Sequence, residues 1–216
     1  MGAAHPRRSG AGVRGLGGDW TPRHDPMTRA IDYRDWHIPL RRGRITLRAA
    51  RARLASVGAG PQAIPLMVRL MENPRYRVPG VTVFHGAVDL EQHDCIHLVL
   101  GRGLLPKDEA FTIGFTMGST HKVSTTEEAL FGFVSRYLYP EVYRFGDEEL
   151  RIFRDAVKLG WISGCRPLDQ VDFAPYLDLP LAQVRTEIGL ERELILAYYR
   201  IEKRRYPNAP ESQRLV

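Results

Sequence analysis

The sequence predicts an all-α fold, a multi-helix bundle built as a single domain over residues 27–216. Three observations predict it. Apolar residues recur every three or four positions in one segment after another, glycine and proline fall between those segments, and strand-like alternation is scarce. With 216 residues, 44% of them hydrophobic and 26% charged, the chain has the mass and composition of one globular domain with its own core. No internal repeat is visible.

Residues 1–26 mix Gly, Arg, Pro and Ala with almost no bulky apolar side chain, too little burial to offset the entropy of ordering them. They are expected to be a disordered extension or an over-extended gene start, because Met27-Thr28-Arg29-Ala30 reads like an ordinary beginning. A transit peptide is the second explanation, against which Asp19, Asp25 and a single Ser count. Ile45 to Val57 then places Leu47, Ala50, Leu54 and Val57 at helical spacing, and Gly58 to Pro61 ends the run. Ile64 to Met71 reads as a helix stopped by Asn73-Pro74, and Val78 to Phe84 as a short strand or extended link.

Val88 to Leu100 is a strong helix, closed by Gly101-Arg102-Gly103. Pro106 suits a first helical turn, with Asp108 and Glu109 in the dipole-favoured positions, so a second helix runs to about Thr120. Ser124 with Glu127, or Thr125 with Glu128, makes a capping box for a helix through Tyr139, ended by Pro140. Asp147 caps Glu148 to Gly160. Asp178 with Pro180 opens a short helix ending at Gly189, and Glu191 to Arg204 forms the last.

Charge and cysteine usage narrow the classes. Residues 1–60 hold 12 Arg and 4 Asp with no Lys or Glu, a net +8, whereas the other 156 residues carry −2 of the total +6. A basic first third suggests an anionic partner surface, with phospholipid ranked above nucleic acid because nothing resembles a recognition helix or a stacking platform. Arginine-rich coding in a GC-rich genome explains the same bias without a partner. No apolar run approaches the roughly 20 residues that span a bilayer, so any membrane contact is expected to be peripheral. Two cysteines make no disulfide framework, so a reducing, cytoplasmic compartment is the expectation.

The chemistry concentrates in Gln92-His93-Asp94-Cys95-Ile96-His97. Four residues of helix turn the chain by about 400°, which sets His93 and His97 on one face, with Asp94 about 100° round from His93. One divalent ion could take both imidazoles, with Asp94 as a further ligand or as the group that orients one. The two-His spacing matches the zincin pattern, but Asp stands where the protease base would be Glu and is too short to copy it. Glu109, early in the next helix, can return to the His pair once the glycine turn folds that helix back. Imidazole and carboxylate together suit Zn, Fe or Mn and leave positions open for water or substrate. Asp94 or Glu109 could carry protons where they do not ligate. Chance alone also places two histidines four apart, solvated or satisfied in a core.

The order His-Asp-x-x-His, eleven residues, then Glu is carried by His93 to His97, residues 98–108 and Glu109. It resembles the signature of the Coq4 family of ubiquinone (coenzyme Q) biosynthesis proteins. A second likeness runs through Gly164-Cys165-Arg166-Pro167-Leu168, Val171, Leu179 to Arg185 and Ile188-Gly189-Leu190, so that the two cover residues 86 to 190. The chain departs from the family at Val88 to Gln92, where an Arg-rich lead-in is usual, and near Phe173 to Tyr176, where Trp and Glu are usual. The resemblance implies an all-α fold, often a homodimer, with a divalent metal beside an apolar tunnel for a polyprenyl chain. It further implies an enzyme that removes the ring carboxylate at C1 of a prenylated hydroxybenzoate, coupled to hydroxylation there, within a quinone-biosynthesis complex.

Other residues carry weaker signals. His121 closes the second helix and could approach the metal, although a helix C-terminus favours His anyway. His85 with His93-Asp94 and a distant Asp147 or Asp155 would make a phosphohydrolase set, leaving His97 and Glu109 unexplained. Cys95 faces away from the ligands and reads as a core thiol. Phe131, Phe133, Tyr137, Tyr139 and Tyr143 could line a tunnel or simply fill the core. Arg166 and Arg185 could hold a substrate carboxylate or phosphate, or pair on the surface. Arg44 to Arg53 around an apolar stripe resembles an interfacial helix as much as an ordinary packed one. A non-catalytic isoprenoid-binding or scaffold protein is the rival reading to the enzyme.

Overall fold

The computed structural model of the chain describes residues 1–2, 32–57, 88–137 and 144–216. The described residues are helical, with no strand among them; Thr46 and Pro180 make an isolated antiparallel bridge. The helix expected at Ile64 to Met71, the link at Val78 to Phe84 and nearly all of the N-terminal extension lie outside the described residues.

Helix α1 (Leu47–Ala55) starts at Thr46, whose hydroxyl accepts from the N–H of Ala49 at 3.2 Å. Leu47, Ala50 and Leu54 bury its apolar stripe against α2 (Leu90–Leu100). That stripe is consumed by the core, so α1 is an ordinary packed helix and does not present an apolar face to lipid.

Asp89 opens α2 by accepting from the N–H of Gln92 at 2.8 Å. Gly101 closes it at φ 70, a left-handed position that suits glycine. The N–H groups of Gly101 and Arg102 then return to the carbonyls of Leu98 and His97 at 3.3 and 3.0 Å. A Cβ at position 101 would also stand 2.8 Å from the backbone nitrogen of Leu40. Pro106 begins α3 (Pro106–Ser119), and Asp108 accepts from the N–H of Leu105 at 3.2 Å. The α2–α3 hairpin is the centre of the molecule: α2 from Cys95 onward and α3 from Ala110 onward are buried all round.

Helix α4 (Thr125–Tyr137) uses Ser124 as its cap, accepting from the N–H of Glu127 at 3.1 Å, the cap half of the first of the two expected boxes. Helix α5 (Asp147–Ile162) departs from expectation at both ends. Gly146 is the N-cap, held by the Glu149 carboxylate at 3.0 Å, while Asp147 is already inside the helix and pairs with Arg136 on the surface. Gly160 does not end it. A Cβ there would stand 2.3 Å from the carbonyl oxygen of Phe115, and one at Gly118 would stand 2.1 Å from that of Val157. These glycines let α3 and α5 cross nearly backbone to backbone, which makes them contact residues rather than breakers.

Two 3₁₀ turns (Leu168–Gln170 and Ala174–Tyr176) precede α6 (Leu181–Glu187), α7 (Arg192–Arg205) and α8 (Pro210–Gln213). The turns and α8 carry no helical periodicity and were not expected from it.

Candidate metal centre

The hairpin sets the register of the candidate ligands. Asp89 fixes where α2 starts, so His93 and His97 stand one turn apart on the face turned toward α3. The tight turn through Gly101 and Pro106 then brings Glu109, in the first turn of α3, opposite them. Glu109 Oε1 lies 3.2 Å from His97 Nε2, and Oε2 lies 3.5 Å from His93 Nε2. The rings pack edge to face, centroids 4.6 Å apart. His93, His97 and Glu109 could hold a metal ion, since one ligand atom from each falls within 4.8 Å of the others. Ligand atoms at about 2.1 Å from one tetrahedral ion stand about 3.4 Å apart, close to both nitrogen–oxygen separations.

The polar balance points the same way. His93 is 2% exposed and His97 is fully buried, yet both ring nitrogens of His93, Nε2 of His97 and Oε2 of Glu109 have no hydrogen-bond partner. Buried polar atoms are nearly always satisfied, so His93 Nε2, His97 Nε2 and Glu109 Oε2, which face one point, call for a group between them. His97 Nδ1 meets the Thr112 hydroxyl at 3.5 Å, an outer contact that would leave Nε2 with its lone pair toward Glu109.

Burial pushes the His93 imidazole down to about 4, against the pull of Glu109, so the ring is neutral and its lone pair is free. Burial lowers His97, but the charge and hydrogen bond of Glu109 together with the charges of Asp94 and Asp108 hold it above its ordinary value; burial raises Glu109, but the two histidines hold it below its own. Neutral imidazole and ionised carboxylate are the forms that ligate, so His93 and Glu109 are already in them and His97 would give up its proton to a metal.

Asp94 is not part of this cluster. Its carboxyl lines a cavity of about 250 Å³ with Arg48, Arg51, Ala52, Ala55 and Leu177, and burial raises its pKa to about 6. The remaining sequence candidates fall elsewhere. Arg185 is 3% exposed and donates to the carbonyls of Val99, Leu40 and Leu98 at 2.8, 2.9 and 3.1 Å. It satisfies the C-terminal end of α2, where the helix dipole favours a cation, and has no reach left for a substrate. Arg166 is exposed and donates to the Tyr176 hydroxyl at 3.0 Å.

His121 closes the far end of α3, twelve residues or about 18 Å of helix beyond Glu109, and packs on Trp161. Asp155 accepts from Arg205 at 2.6 Å and Asp147 pairs with Arg136, so neither joins His93. Cys95 is a core thiol at 1% exposure, pushed up to about 12 by burial. Phe131 is core, stacked on Phe153 at 4.7 Å, and Phe133 is 55% exposed. His85, Tyr139 and Tyr143 lie outside the described residues.

Sequence reasoning missed Thr112. Its spacing, three residues after Glu109 and so on the same face of α3, was the available signal. Compared with protein-family models, with curated proteins and with solved structures, the chain matches none of them.

Proposed function

We propose that the chain is a metal-dependent enzyme of ubiquinone or related quinone biosynthesis, and that one divalent ion (Zn, Fe or Mn) sits between His93, His97 and Glu109. The observation that carries the reading is the convergence of unpartnered, buried imidazole nitrogens on a carboxylate. The proposed reaction is removal of the C1 carboxylate of a polyprenylated hydroxybenzoate as carbon dioxide, with hydroxylation at that carbon by an external two-electron oxidant such as dioxygen. The likeness of the His-Asp-x-x-His…Glu order to the Coq4 family supports that choice of substrate.

The bound ion would hold a substrate carboxylate or phenolate and stabilise charge as the carbon–carbon bond breaks. The chain's own residues would do the rest. His93 and His97 fix the ion to a buried helix, away from bulk water. Glu109, at 13% exposure, is the most open of the three and marks the side from which a substrate would arrive. Asp94, one residue along α2 and outside the three-ligand cluster, is the proposed proton carrier.

Metal content by plasma mass spectrometry, on protein purified without an affinity tag, tests the first step. About one equivalent in the wild type, absent from His93→Ala/His97→Ala, supports the site and directs assays to decarboxylation of a prenylated hydroxybenzoate. No metal after reconstitution sinks the reading.

The near-complete burial of both histidines favours a second reading, a closed site in a non-catalytic isoprenoid-binding or scaffold protein. Glu109→Gln separates the two. Lost turnover with fold and lipid binding retained fits the enzyme; lost fold with no turnover in any form fits the scaffold.

A further inference from the structure

Residues 36–57 contain six arginines and no aspartate or glutamate. The structure sorts these arginines. Arg51 is only 28% exposed and pairs with Glu91 at 3.1 Å, and Arg48 pairs with Asp178 at 2.7 Å. Arg41, Arg42, Arg44 and Arg53 are exposed, in the turn before α1 and on its outer face. Between Arg48 and Arg53 the solvent side of α1 is formed by Ala49 and Ala52, with Ala55 and Ser56 a turn further on. The outer face is therefore a strip of small side chains edged by guanidinium groups, while the apolar face that could have entered lipid is sealed in the core.

We infer that this face is an electrostatic docking surface for an anionic phospholipid bilayer, held by charge and not by insertion. Guanidinium groups match phosphates, and the small side chains between them let a flat phosphate plane come close. The strip has no aromatic side chain on which a base could stack, which disfavours nucleic acid. The choice of a bilayer rests on the reading of a polyprenylated, membrane-dissolved substrate. The docking test reads vesicle binding and not turnover, so the two proposals fail separately.

The test is co-sedimentation of the full chain with phosphatidylcholine vesicles, with and without one-third phosphatidylglycerol. The wild type is compared with Arg41→Gln/Arg42→Gln/Arg44→Gln/Arg53→Gln and with a charge-matched control, Arg151→Gln/Arg192→Gln/Arg200→Gln/Arg204→Gln. All eight positions are exposed, and circular dichroism checks that each variant folds. The expected result is binding to anionic vesicles only, released by high salt, weakened about a hundredfold in the first variant and little changed in the second. Four outcomes overturn the inference: no wild-type binding, equal binding to neutral vesicles or persistence in high salt, equal loss in both variants, or displacement of the vesicles by duplex RNA at lower concentration.

Discussion

The substitution His93→Leu separates a metal centre from a satisfied core histidine, because the two predict opposite signs. His93 is 2% exposed with both ring nitrogens unpartnered. A buried polar group without a partner costs about 1–3 kcal/mol, so the metal-free protein carries that penalty at this position. Leucine has nearly the same volume, leaves no cavity and has no polar atom to satisfy. In protein stripped with a chelator, His93→Leu is therefore expected to be as stable as the wild type or more so, by about 1–3 kcal/mol. For a chain of this size that is a rise in Tm of about 2–12 °C. With metal present the gap closes or reverses. An ion at a hundred times its Kd stabilises the wild type by about 2.7 kcal/mol and leaves the variant unchanged. Thermal unfolding of both proteins, with chelator and with zinc, manganese or ferrous iron, reads all four states. Destabilisation of the stripped variant, together with no effect of any metal on the wild type, would refute the reasoning: His93 would then be held by contacts that leucine cannot replace.

Three further outcomes are expected. Thr112→Val keeps the shape of the side chain but removes the hydroxyl 3.5 Å from His97 Nδ1, and should weaken metal affinity about 10- to 100-fold in a chelator competition while the fold persists. Glu202→Gln should lower stability by about 3–5 kcal/mol in a denaturant titration, because it strips a fully buried Arg102 of its bidentate partner, now at 2.9 and 2.5 Å. Gly118→Ala drives a methyl to within 2.1 Å of the Val157 carbonyl oxygen, so α3 and α5 must separate; a loss of about 1–3 kcal/mol is expected by thermal unfolding, and a neutral result would show that the crossing is loose.

The helices that the sequence disclosed are those with an apolar period and a capping side chain. α2 between Asp89 and Gly101 is the clearest case, and the same logic found α3, α4 and α7 within a residue or two. The His pair and Glu109 were legible because two local rules, helical spacing and a tight turn, suffice to bring them together. What failed depends on tertiary contact. Gly160 looks like a stop signal until α3 is seen resting on it. Arg185 has the chemistry of a substrate ligand, and only the folded chain shows it directed at carbonyls of Leu40 and α2. Asp94 lies about 100° from His93 and about 60° from His97 on the helical projection, close enough for the sequence to admit it, yet the folded cluster is made by His93, His97 and Glu109.

The precision of the candidate site rests on the short turn between its two helices, and that turn is not held by its own residues alone. A metal site tolerates errors of only a few tenths of an ångström in its ligand atoms, whereas Gly101 to Leu105 has no regular structure to fix it. The polar core supplies the rigidity. Arg102 lies fully buried between the rings of Phe111 and Tyr199, at 3.9 and 4.3 Å, and is gripped by Glu202 from α7. Tyr199 also donates to the carbonyl of Leu100 at 2.7 Å, Ser212 donates to Glu202 at 3.0 Å, and Arg214 donates to Asp108 at 2.6 Å. The C-terminal helices thus clamp the end of α2 and the start of α3 against each other. Replacing this buried network with apolar residues of equal volume could leave global stability unchanged. It would remove the directional bonds that set the turn, and with them the alignment of Glu109 with His93 and His97. On this argument the double substitution Arg102→Met/Glu202→Leu should regain much of the stability lost in Glu202→Gln while still binding metal more weakly than the wild type. A double variant that recovers both would show that packing alone positions the ligands.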